Sequence, residues 1–217
     1  ADMLEAIGVN LNLNLENSAK MLEETGFTFM FAQNHHPCMK HIMPIRKSIP
    51  HRTIFNILGP LSNPATVSKQ LIGVFDKSYI NKLAYALDML DTKRSMIVSS
   101  NDGMDEISIS DITYASSIYN GKIEDFEINP EDYGMQLSDK SEIIGGDAKF
   151  NAKLTSDLLS KKLIGAKLNI VLLNAAAALI VDEKARDFKD GIDMAKAAII
   201  SGAAQEKLEQ IIRVSNQ

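Results

Sequence analysis

Apolar residues recur along this chain at two periods, and where one gives way to the other an alternating fold is outlined. Residues 2–7 read as the end of a helix, with Gly8 as its C-cap. NLENSAKMLEETG sets Leu15, Ala19 and Leu22 at helical spacing, and Gly26 stops that helix. FTFMFA (27–32) is aromatic and predicts a buried strand. His36-Pro37 then starts a helix running to about Lys47, since proline suits a first turn, with Met39, Ile42 and Met43 on one face.

ILGPLSNPA is a turn-rich connection. QLIGVF (70–75) predicts a strand, and the pattern from Ser78 to about Asp91 predicts a helix with Ser78 as N-cap. SMIVSS (95–100) is the next strand, and NDGMDEIS forms the loop at its C-terminal end. Two β-like runs between 112 and 129 flank Asn120-Gly121, a strong hairpin signal. Helices over about 148–160, 168–182 and 187–201 close the chain, with a fourth over 204–214. The strand–helix–strand rhythm predicts an α/β fold. It has a mainly parallel sheet with crossover helices and a C-terminal helical layer. Ligands gather at strand C-terminal ends in such sheets.

Composition narrows the function classes. With 217 residues and 45% hydrophobic content, the chain can bury a sizeable core. A net charge of -5 argues against a general nucleic-acid binder, which needs a broad basic face. No apolar run reaches the roughly 18 residues of a membrane helix. The single cysteine, Cys38, excludes an intramolecular disulfide and fits a reducing, cytoplasmic setting. The opening ADMLEAIGV reads as the inside of a helix, which suggests that the sequence is a piece of a longer protein.

Charge is not spread evenly. All four histidines (His35, His36, His41, His51) share one window with Lys40, Arg46, Lys47 and Arg52, and no acid interrupts it. A cationic block in an acidic protein suits an anionic small molecule, and the Arg46 fork suits a carboxylate or phosphate. Taken alone, a solvated helix face is the commoner reading, and the histidine spacing matches no zinc pattern. Asp105 and Glu106 follow Gly103 at a predicted strand end; taken alone, solvated loop acids are the commoner reading, while paired carboxylates on a turn suit a hard cation such as Mg²⁺. Asp102 is close but can simply serve the turn. Gly145-Gly146-Asp147 looks like a phosphate loop, yet Asp147 before a clear helix reads better as an N-cap. In LNAAAALIV (173–181) the small residues read as a closely packed buried helix.

Together these segments resemble the anthranilate phosphoribosyltransferase family of nucleoside-phosphorylase-like glycosyltransferases. The resemblance rests on ADMLEAIGVN, FMFAQNHHPCMKHIMPIRKSIPHRTIFNILGPLSNPA, DGMDEIS, GGDAKFNA, VLLNAAAALIV and SGAAQEKLEQI, in family order over nearly the whole chain. It implies transfer of the phosphoribosyl group of phosphoribosyl pyrophosphate to anthranilate in tryptophan biosynthesis. It implies Arg46 on the anthranilate carboxylate, His36 near the aromatic entry path, and Asp105 and Glu106 on Mg²⁺; no catalytic residue is assigned. The implied partners are these two substrates, with no nucleic acid and no membrane. The implied parent is a homodimer, with a glutamine amidotransferase fused or bound in some members.

This chain also departs from the family pattern. The family's glycine-rich diphosphate loop, its Lys-His-Gly-Asn segment and its N-terminal helical domain would all precede Ala1. The loop before the acidic pair reads VSSND where the family usually has His-Gly, and His35 stands where an aromatic residue is common. Residues 1–217 are therefore expected to be the C-terminal part of the phosphoribosyltransferase α/β domain, inactive alone. The alternatives are a non-catalytic nucleic-acid-binding relative and a pyrimidine nucleoside phosphorylase.

Overall fold

The computed structural model describes residues 1–31, 57–63, 65 and 67–217. The chain divides into two units: Ala1–Arg52 with Gly145–Leu163 and Ala198–Gln217, and Thr53–Ile144 with Ile164–Ala197.

The second unit is built on a four-stranded sheet in the order β1 (Lys69–Gly73), β2 (Arg94–Ser100), β3 (Thr113–Tyr119), β4 (Lys122–Ile128). The α/β class expected from the sequence holds, but among the described residues only β1 and β2 pair in parallel; β2–β3 and β3–β4 are antiparallel. The reason lies in the connections. Only turns, and no helix, separate β2 from β3, so no crossover is available to return the chain in parallel. Asn120 and Gly121 then take φ of 50° and 75°, the double positive-φ turn that matches hairpin twist.

The parallel pair does have its crossover. A short helix α3 (Leu58–Leu61) precedes β1, and α4 (Ile80–Met89) links β1 to β2. The expected cap at Ser78 is displaced to Asp76, whose carboxylate accepts the Ser78 N–H at 2.8 Å and opens a 3-10 turn over Lys77–Tyr79. Ile80, Leu83, Ala84 and Leu87 of α4 pack on Ile72, Ile97 and Ile118 of the sheet. Helix α6 (Ala166–Val181) also packs on β1 and β2 and buries Leu172, Leu173, Ala176 and Ala177. Helix α7 (Phe188–Ser201) meets α6 at Gly191, where an added Cβ would lie 2.8 Å from the Ala176 Cα. The small residues of LNAAAALIV thus permit close helix packing, as their pattern predicts.

The first unit joins α1 (Asp2–Ala6), α2 (Leu15–Thr25), α5 (Ala148–Leu159) and α8 (Ala203–Ser215). Its core is Val9, Leu11, Leu13, Met21 and Ile211, with Phe29 packed against it. Helix α2 turns the opposite way from its leucines. Leu15 and Leu22 are 71% and 51% exposed, while Ser18, Met21 and Thr25 are buried. Side chains of α8 fix that orientation: Lys207 Nζ donates to the Thr25 carbonyl (2.9 Å) and Gln210 Nε2 to that of Glu24 (3.0 Å). These bonds satisfy carbonyls that the helix end leaves open. Residues 27–31 are not a strand, contrary to their aromatic pattern. The Thr25 hydroxyl accepts the Phe27 N–H, and Phe31 N–H bonds locally to the Phe29 carbonyl, so these groups serve turns rather than a ladder.

Candidate active site

The acidic pair sits where the sequence places it, on the loop that leaves the C-terminal end of β2. The loop is closed by backbone bonds: Ser100 N–H to the Met104 carbonyl (3.0 Å) and Asn101 N–H to that of Ile112 (2.9 Å). Gly103 takes φ of 91°, a conformation that glycine adopts without strain.

Asp102 anchors the turn. Its side chain is only 4% exposed. One carboxylate oxygen accepts the Met104 N–H (3.1 Å), and the other accepts the Ser108 hydroxyl (2.7 Å). Lys140 donates to the Asp102 carbonyl, and its ammonium lies 3.9 Å from the carboxylate. Burial pushes the Asp102 carboxyl up, but the bonds from Ser108, Met104 and Ser100 with the Lys140 charge outweigh it, so its pKa falls below the usual aspartate value. Asp102 is therefore an ionised fastening of the loop.

Asp105 and Glu106 are exposed. Partial burial of its carboxyl, then the charges of Asp105 and Asp102, push the Glu106 pKa above the usual glutamate value. Negative charge is thus concentrated at the loop tip. Two adjacent exposed carboxylates, hard oxygen donors, fit a Mg²⁺ ion that keeps waters and bridges to phosphate. Among the described residues no group of three or more His, Cys, Asp or Glu gathers into a metal cage. The remaining coordination would come from water and substrate.

Two residues that sequence reasoning passed over hold this tip. Gly73 ends β1 directly beneath it: an added Cβ would lie 1.5 Å from the Asp105 carbonyl oxygen. Asn174 of α6 grips the residue after the pair. Its Oδ1 accepts the Ile107 N–H (3.0 Å), and its Nδ2 donates to the Ile107 carbonyl (2.8 Å) and to that of Ile170 (2.9 Å). Signals existed for both. An isolated glycine in a strand pattern marks close backbone approach, and a lone amide in an apolar helix needs partners.

Gly145-Gly146-Asp147 caps a helix, as expected. Asp147 accepts the Phe150 N–H at 2.8 Å, while Asn151 bonds both the Gly146 N–H and its carbonyl at 2.9 Å. A Cβ on Gly146 would meet the Phe150 ring at 2.8 Å, so the glycines serve packing. His36, Arg46, Cys38 and the rest of the cationic window lie outside the described residues.

Comparison with known proteins gives this turn its context. The family described as "Glycosyl transferase family, a/b domain" matches residues 1–205. The chain belongs to this glycosyl transferase family. Its sequence is 42% identical over 217 residues to an anthranilate phosphoribosyltransferase of Rubrobacter xylanophilus, covering 100% of this chain and 64% of the relative. Another, from Azorhizobium caulinodans, is 44% identical, covering 99% and 62%. Among glycosyl transferases of solved structure, the anthranilate phosphoribosyltransferase of Thermus thermophilus superposes with a TM-score of 0.90 at 32% identity, over 100% of this chain and 64% of that one. The Saccharomyces cerevisiae enzyme in complex with PRPP and Mg matches with a TM-score of 0.90 at 26% identity, over 99% and 62%. The chain thus spans somewhat under two thirds of the length of these relatives.

Proposed function

We propose that this chain is the C-terminal α/β part of an anthranilate phosphoribosyltransferase, and that the complete protein transfers the phosphoribosyl group of phosphoribosyl pyrophosphate to anthranilate. The observation that carries the reading is the Asp105-Glu106 turn at the strand end, in a chain 42% identical to an enzyme of that name. In the reaction the anthranilate amine nitrogen bonds to ribose C1 as the bond from C1 to the pyrophosphate oxygen breaks. The electron pair leaves with pyrophosphate, and the amine loses a proton.

Bound Mg²⁺ would neutralise charge developing on the pyrophosphate. The chain's own residues bind and aim. Asp105 and Glu106 supply the carboxylates that hold the cation, and Asp102 keeps their loop fastened. Arg46, by the family resemblance, holds the anthranilate carboxylate and so directs the neighbouring amine. Positioning of this kind can supply much of the rate, since a neutral aromatic amine is already a nucleophile. His36 borders the path of the aromatic ring. The setting is the cytoplasm and the role tryptophan biosynthesis, in a homodimeric parent to which an amidotransferase can be joined.

No helix among the described residues is long and apolar enough to cross a membrane. The test is loss of anthranilate fluorescence by the complete protein, dependent on phosphoribosyl pyrophosphate, run beside phosphorolysis of a pyrimidine nucleoside. Anthranilate consumption alone supports the reading; phosphorolysis alone overturns it.

A further inference from the structure

We infer that Asn174 is a positioning residue for the acidic turn, and that its amide, reaching Ile107 from helix α6, sets the carboxylates of Asp105 and Glu106 for metal binding. The inference rests on the function proposed above. Ile107 is fully buried, and it directly follows the pair. Its N–H and carbonyl both go to the one amide of Asn174, at 3.0 and 2.8 Å, in the two-bond pattern that a neighbouring strand would provide.

Helix α6 is otherwise apolar along LLNAAAALIV, so this amide is the polar group that it turns toward the loop. The third bond, from Nδ2 to the Ile170 carbonyl at 2.9 Å, locks the side chain against its own helix. That fixes the rotamer before any ligand arrives. The turn is therefore held at three points: Asp102 at its start, Gly73 beneath Asp105, and Asn174 after Glu106. Of the three, only Asn174 reaches the loop from a helix distant in sequence.

Groups that orient metal ligands change metal affinity about 10–100-fold when removed. Asn174→Ala in the complete protein is expected to weaken Mn²⁺ binding by about that factor, read by electron paramagnetic resonance with phosphoribosyl pyrophosphate present. Hydrogen exchange at the Ile107 amide should speed up with no ligand added. Leu172→Ala, a core change on the same helix, should lower the melting temperature and leave Mn²⁺ affinity unchanged. Should Asn174→Ala fail to fold, Asn174→Ser, whose hydroxyl is one bond too short for Ile107 and turns to the Ile170 carbonyl, carries the test with the same loss expected. Faster exchange with wild-type Mn²⁺ affinity overturns the inference while the proposed function stands. A wild-type protein that binds no Mn²⁺ beside phosphoribosyl pyrophosphate overturns both.

Discussion

Replacing Gly73 by alanine tests how tightly the acidic turn is seated on the sheet. The new Cβ would stand 1.5 Å from the Asp105 carbonyl oxygen and 2.5 Å from its carbon, where ordinary contact begins near 3.4 Å. The oxygen has to retreat by about 2 Å, and because it belongs to the backbone no rotamer change relieves the clash. Overpacking of this kind costs about 1–3 kcal/mol, and more when backbone is the obstacle. Against it stands a gain of about 0.5–1 kcal/mol from replacing a flexible glycine in a strand. With backbone as the obstacle the clash lies at the upper end of that range, so the net is a loss of about 2–2.5 kcal/mol, which for a domain of this size lowers the melting temperature by roughly 4–10 °C. Thermal unfolding by circular dichroism measures it, with Gly59→Ala as control, since among the described residues a Cβ there meets nothing within 4 Å. The displaced carbonyl also moves Asp105, so Mn²⁺ affinity should fall together with stability. Wild-type melting and wild-type metal affinity in Gly73→Ala would refute the seating argument.

Three further outcomes are expected. Because the Glu106 pKa is raised in the folded chain, its ionisation opposes folding. Stability contributed by its protonated form is full at low pH and declines as pH rises from the unfolded value through the folded one. Glu106→Gln should therefore melt above wild type at neutral pH without metal, with the gap closing below the ordinary glutamate value; a constant gap across pH would contradict the crowding. Asp147→Ala should cost about 0.5–2 kcal/mol by urea denaturation, the usual worth of an N-cap, with Mn²⁺ affinity unchanged. If affinity drops instead, the glycine pair before it has a ligand role. Arg46→Ala in the complete protein should mainly raise KM for anthranilate, and unchanged KM with unchanged kcat removes that assignment.

Local chemistry made most of the fold legible. Asn120-Gly121 announced its hairpin, Gly26 its helix end, and Asp147 its cap, because each acts through bonds within a few residues. Long-range contacts stayed hidden. The leucines of α2 form a regular stripe, yet Met21 takes the core, because Lys207 and Gln210 fasten the end of that helix from α8. The parallel bias overreached because a strand–helix–strand rhythm specifies only the pair that the helix connects. The acidic pair was legible as a doublet of carboxylates after a strand. Its supports were not, since Gly73 and Asn174 meet it only in the folded chain.

The proposed role of Asp105 and Glu106 is to carry the cation on which phosphoribosyl transfer to anthranilate depends. Its most direct measurement is the Mg²⁺ dependence of anthranilate consumption, followed by fluorescence, in the complete protein and its Asp105→Asn variant. The variant is expected to need far more Mg²⁺ for half-maximal rate, or to lose activity at every concentration. A variant with wild-type rate and wild-type Mg²⁺ dependence would contradict it.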